Sequence, residues 1–217
     1  MKKSIVALGM VLLFALIAAA QDMPRMETFL GYTYVRANSA TNIPAFSANG
    51  GSGQFVYNFY KYFGGVMDVG AVHNGNLSGG FNIDNTTVNF LLGPRISFRY
   101  SRLTPYFEAL FGGAHIGEST RVDGIVSTPV IVLPAPRAGF GPIIPGQPIT
   151  SRLVASQSAF AMAIGGGLDF KISKNVSFRP IGLDYYMTRF QNLRSGNDNN
   201  QNNLRYTAGV NFTFGAE

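Results

Sequence analysis

Leu204-Arg205-Tyr206-Thr207-Ala208-Gly209-Val210-Asn211-Phe212-Thr213-Phe214 alternates residue by residue. A repeat of two is the repeat of a β-strand, so Leu204, Tyr206, Ala208, Val210, Phe212 and Phe214 share one face, and Arg205, Thr207, Gly209, Asn211 and Thr213 share the other. One face is bulky and apolar, the other small, polar or charged. Val88, Phe90, Leu92, Pro94, Ile96 and Phe98 oppose Asn89, Leu91, Gly93, Arg95, Ser97 and Arg99 in the same way, and Phe160, Met162, Ile164 and Leu168 oppose Ala161, Ala163, Gly165, Gly167 and Asp169. The lumen of an eight-stranded barrel has room only for side chains, so the small and polar face fits inside and the bulky face outside. A water-soluble barrel needs the reverse arrangement. The pattern therefore predicts a barrel wall that faces lipid.

Strand-length segments recur near 26–37, 54–62, 65–74, 87–100, 105–115, 157–170, 176–190 and 203–214, with no helical stripe beyond the N-terminus. The stretches between them alternate in length. Long ones rich in Gly, Asn, Ser and Pro fall near 38–53, 75–86, 116–156 and 191–202, and short ones near 62–64, 101–104 and 171–175. Outer-membrane barrels pair short periplasmic turns with long outer loops. The expected fold is an all-β, eight-stranded antiparallel transmembrane β-barrel with up-and-down topology and both termini in the periplasm. In the seventh strand Arg179 and Asp184 fall on opposite parities, which requires either a bulge or a charge at the membrane boundary.

Lys2 and Lys3, the apolar run Ile5–Ile17 and Ala18-Ala19-Ala20 form a secretory leader, with cleavage expected after Ala20. The run is too short for a spanning helix. Residues 1–20 are thus read as signal peptide and 21–217 as the barrel domain. Hydrophobic residues make up 46% of the chain and charged residues 13%, about half the charge usual in a soluble domain, which again favours hydrocarbon over water. The formal charge is +6, nearer +4 once Lys2 and Lys3 leave, and the surplus is too scattered for a nucleic-acid footprint. With no cysteine, thiolate metal sites, disulfides and thiol nucleophiles are excluded.

Asp68, Arg95, Arg99, Glu108 and Asp169 lie on the small or polar faces of their strands and are expected to meet as a structural network in the lumen, because a buried carboxylate without a partner is costly. Tyr32, Tyr34, Tyr57, Phe59, Tyr106 and Phe107, near strand ends, are candidates for aromatic girdles in a chain without tryptophan. His115-Ile116-Gly117-Glu118-Ser119 contains the residue types of a hydrolytic triad. However, His115 and Ser119 would stand roughly 13 Å apart along an extended strand at about 3.3 Å per residue. With only His73 and His115 available, neither a catalytic set nor a metal site is expected, and no cofactor. Gly50-Gly51-Ser52-Gly53 and Gly165-Gly166-Gly167 lack the Lys-Ser/Thr of a phosphate loop, so the first reads as loop and the second as close-packed strand. In 116–156, Val130–Pro136 and Ile143–Ile149 mix β-branched residues with proline. This segment could extend its flanking strands, cap the barrel mouth or offer an adhesive surface to an extracellular partner.

Gly31-Tyr32-Thr33-Tyr34, Gly93-Pro94-Arg95, Pro105-Tyr106-Phe107-Glu108, Gly165-Gly166-Gly167-Leu168-Asp169, Asp184-Tyr185 and Phe212-Thr213-Phe214-Gly215, in this order, resemble the small outer-membrane barrels typified by the transmembrane domain of outer-membrane protein A and by OmpX. The resemblance implies a barrel bathed in outer-membrane lipid and lipopolysaccharide, inserted by the barrel assembly machinery that reads an aromatic last strand. Its function would lie in structural or loop-mediated binding rather than catalysis. A narrow passive pore and a lipid A-modifying enzyme are the alternatives within that class. Two features depart from it. The chain ends at Glu217, leaving no room for the peptidoglycan-binding domain of longer members, and three residues follow Phe214 where many members end on the aromatic.

Overall fold

The computed structural model describes residues 24–38, 45–75, 83–125, 148–191 and 198–215; the leader and the middle of the third long segment lie outside them. The strands are β1 (Met26–Ala37), β2 (Phe46–Asn58), β3 (Phe63–Asn74), β4 (Ile83–Ser97), β5 (Leu103–Ile125), β6 (Pro148–Lys171), β7 (Val176–Gln191) and β8 (Asp198–Phe214). They form a closed barrel in chain order, each antiparallel to the next, and β8 pairs with β1 along its length. Closure leaves no free edge around the wall. Met26 leads through Tyr57, Gly65 and Pro94, and the ladder continues from Ala109 through Ile164, Tyr185 and Leu204 back to β1 at Arg36, ten residues along. That stagger tilts the strands by about 40° and fixes a barrel just wide enough for side chains to fill.

Several strands begin earlier or run further than their sequence suggests. β2 starts at Phe46, so Gly50-Gly51-Ser52-Gly53 is strand and not loop: Gly50 pairs with Thr33 on one side and Val72 on the other. A Cβ at Gly50 would collide with the Ala71 backbone, so the small residues here are what allows three strands to approach. β4 starts at Ile83 and β8 at Asp198, and residues 116–125 and 148–156 are paired strand rather than loop.

The parity conflict in β7 resolves as a bulge. Between Arg179 and Gly182 the register against β8 slips by one residue, and the ladder with β6 slips at the same place. Pro180 has no N–H for the ladder, and its carbonyl accepts the Tyr206 hydroxyl at 2.7 Å. The extra residue brings both Arg179 and Asp184 into the lumen, where each is buried.

Outside, the wall is apolar. On β4 the outward residues from Phe98 to Val88 are apolar at every second position, and Leu92 is 50% exposed. Ten residues of tilted strand cover about 25 Å along the barrel axis, the height of a hydrocarbon band. A polar collar closes the band at the end away from the short turns. There His73 and Thr86 share a hydrogen bond of 3.0 Å, His115 and Ser158 one of 2.9 Å, Tyr34 and Ser47 one of 2.8 Å, and the Tyr185 hydroxyl donates to Asn202 at 2.6 Å. Around the turn end, Tyr57, Phe59, Phe98, Tyr100, Phe107 and Phe170 are exposed as an aromatic collar.

Candidate functional site

The lumen holds one connected polar network, and every strand contributes to it. At the turn end, Arg99 Nη2 donates to Glu27 Oε1 at 2.6 Å, and Asn211 Nδ2 joins Glu27 to Asp169 at 3.0 and 3.3 Å. Arg179 grips Asp169 through two parallel bonds of 2.7 and 3.1 Å, the fork geometry that makes guanidinium–carboxylate pairs strong. Gln54 is the hub. Its Oε1 accepts from Arg95 at 2.5 Å and from Arg179 at 2.8 Å, while its Nε2 donates to Asp68 and Glu108 at 3.0 Å each. Arg95 Nε donates to Glu108 at 2.9 Å. Arg205 donates to Asp184 at 2.8 Å and Asp68 at 2.9 Å, and Asn89 adds a bond to Asp68 at 2.7 Å.

A stack of cations and rings reinforces this network. The guanidiniums of Arg95 and Arg179 both lie against the Tyr106 ring, 4.2 and 4.3 Å from its centroid, and Arg179 also covers Phe29 at 4.1 Å. Tyr106 is buried, so it belongs to the lumen and not to an aromatic girdle. Its neighbour Phe107, which points the other way, is exposed. Glycine makes the space for it: a Cβ at Gly167 would lie 2.6 Å from the Tyr106 hydroxyl. Tyr106→Leu is expected to lower stability by about 2 kcal/mol, the scale of desolvated cation–π contacts, while Phe107→Leu on the lipid side changes little. Urea midpoints of the two variants test the contrast.

Asp68, Arg95, Glu108 and Asp169 are thus fully enclosed, and Arg99 lies half-buried at the turn-end mouth. Glu27, Gln54, Asn89, Arg179, Asp184, Arg205 and Asn211 complete the network. Val35, Val72, Leu91, Leu110, Ala114 and Ala161 belong to a buried apolar cluster beside the network. Among the described residues the buried carboxylates of the network are engaged by arginine or amide donors. His115 does meet a serine, but it is Ser158 on the neighbouring strand rather than Ser119. Among the described residues no carboxylate touches that pair, so the group that would orient a catalytic base is missing. Glu118 accepts from Asn85 at 3.3 Å beyond the polar collar, and burial pushes its carboxyl above the ordinary range. Among the described residues there is no cluster of three metal-ligating side chains.

An inside-out barrel of eight strands, apolar without and ionic within, is the architecture of the small outer-membrane barrels. Solved structures agree on the fold. Neisserial surface protein A is 13% identical with a TM-score of 0.55, covering 87% of this chain and 97% of its own. Ail, the attachment invasion locus protein of Yersinia pestis, is 17% identical with a TM-score of 0.52, covering 88% and 100%. The same protein in complex with the heparin analogue sucrose octasulfate gives 0.50. No protein-family model and no curated protein sequence matches the chain.

Proposed function

We propose that this is an exported outer-membrane barrel with a structural interior and a binding surface on the β5–β6 hairpin. In this reading residues 1–20 direct export, the assembly machinery inserts the barrel by its aromatic last strand, and lipopolysaccharide surrounds its outer half. The short turns then face the periplasm. No catalysis is assigned.

The hairpin carries the reading. β5 and β6 remain paired from Leu103↔Phe170 to Ile125↔Pro148, ten residues past the polar collar at His115 and Ser158. β4 covers β5 as far as Thr120, but the β6–β7 ladder stops at Ala161. The β6–β7 ladder among the described residues begins at Ala161↔Thr188, so the β5–β6 pairing outruns it. A hairpin that outruns its neighbouring strand is a surface on which a partner segment can dock. The interior argues against the narrow pore, because the Arg95–Tyr106–Arg179 stack fills it. Replacing 122–150 with a short glycine turn is expected to leave heat-modifiable gel migration intact and to abolish adhesion of producing cells to an epithelial layer. Unchanged adhesion would end the recognition role and leave only the structural one.

A further inference from the structure

Arg25, Lys61, Arg102, Lys171 and Lys174 stand at the turn end, at least one cation for each short turn and one at the N-terminal entry to β1, with Arg102 and Lys171 at the rim on the parity of Asp169. Among the described residues no carboxylate faces outward here. Glu27 and Asp169 point into the lumen and are held there by Arg99 and Arg179. Among the described residues the surplus of exposed charge at this end is positive.

The cations are not evenly placed. The Lys171 N–H donates to the Arg102 carbonyl at 2.9 Å, tying the end of β6 to the turn before β5, and Lys174 follows in the next turn. Three cationic residues thus follow one another along adjoining turns. On the wall beside them Leu103, Phe170, Phe178 and Ile172 are exposed, Ile172 to 70%. These apolar groups occupy the height of the aromatic collar, where hydrocarbon gives way to headgroups. Among the described residues none of the three cations is held in an ion pair. Unpaired cations at the rim of an apolar wall complement a molecule with an anionic head and hydrocarbon tails.

We infer that Arg102, Lys171 and Lys174 form a binding site for an anionic phospholipid, with the phosphate between the cations and the acyl chains along Leu103, Phe170 and Phe178. The inference rests on the orientation proposed above, since a periplasmic turn end meets the phospholipid leaflet. Zwitterionic phospholipid fits less well, because its choline or ethanolamine brings a further positive charge beside Arg102, Lys171 and Lys174, near which no described carboxylate faces outward.

Native mass spectrometry of the folded barrel in detergent tests the site with equal amounts of phosphatidylglycerol and phosphatidylcholine. Phosphatidylglycerol is expected to be retained preferentially. The triple variant Arg102→Gln/Lys171→Gln/Lys174→Gln is expected to lose roughly tenfold or more of that retention, given the usual contribution of a basic side chain at an anionic surface. Arg36→Gln, at the opposite rim, should leave it unchanged. Equal retention of the two lipids by the native chain overturns the site, whatever the folding of the triple variant. So does undiminished retention by that variant. Orientation is read separately: labelling of Ser173→Cys by an impermeant reagent on intact cells would place the turn end outside and defeat the proposed sidedness, while the lipid preference in detergent would still stand or fall by itself.

Discussion

Arg205→Met is expected to cost about 3–5 kcal/mol, the range for breaking a buried ion pair from one side. Arg205 is fully buried and donates to Asp184 and Asp68 at 2.8 and 2.9 Å, with Glu108 at 4.0 Å. Methionine fills much of the space but leaves two carboxylates in a sealed interior without their shared counter-charge. Each must then take up a proton or remain ionised at a cost of several kcal/mol. Asp68 keeps its bonds from Gln54 and Asn89, so Asp184 suffers more. Arg205→Lys should recover only part of the loss, because one ammonium cannot reproduce a planar fork directed at two acids. The triple variant Arg205→Met/Asp184→Asn/Asp68→Asn should recover more, since it removes the unpaired charges themselves. The measurement is the urea midpoint of the folded band in unboiled gel samples. An unchanged midpoint for Arg205→Met would show that the network contributes nothing to stability.

Much of this interior can be read from alternation, because within the membrane each strand has one face in lipid and one in the lumen. Arg95, Asp169 and Arg205 share parity with glycines or small residues that only the lumen accepts. The parity clash between Arg179 and Asp184 was itself a signal of the bulge at Pro180. Tyr106 was legible by the same rule: Tyr106 and Phe107 are adjacent, so only one can face lipid, and Glu108 shares the face of Tyr106. Gln54 gives no such sign, being uncharged and following a glycine-rich stretch that resembles a turn. The hairpin ends of β5 and β6 are hidden for a different reason. Past the polar collar a strand meets water or protein on both faces, the alternation enforced by lipid disappears, and residues 116–125 and 148–156 read as loop although they are paired. Glycines at 50, 51 and 53 hide the start of β2 by lowering strand propensity while permitting close approach of the neighbouring backbones.

Leu92→Arg is the sharpest test of which side of the wall is solvent. Leu92 lies near the middle of the apolar band and is half exposed, so it makes few packing contacts whose loss could confuse the result. In water an exposed Leu→Arg change is close to neutral, within about 0.5 kcal/mol. In hydrocarbon, a guanidinium at mid-depth of a barrel costs about 2–4 kcal/mol, falling to about 0–1 near the interface. Ser156→Arg, on the outward face beyond the collar, supplies the control and should be nearly silent. Equilibrium unfolding of both variants in phospholipid vesicles is therefore expected to separate them by more than about 1 kcal/mol, the gap between the two depth ranges. In detergent the gap should narrow, because a micelle deforms around a charge more readily than a bilayer. If the two variants unfold together in vesicles, the apolar exterior is not in contact with acyl chains. The bulky row of β4, and with it the row Leu204–Phe214 on β8, would then require another cover.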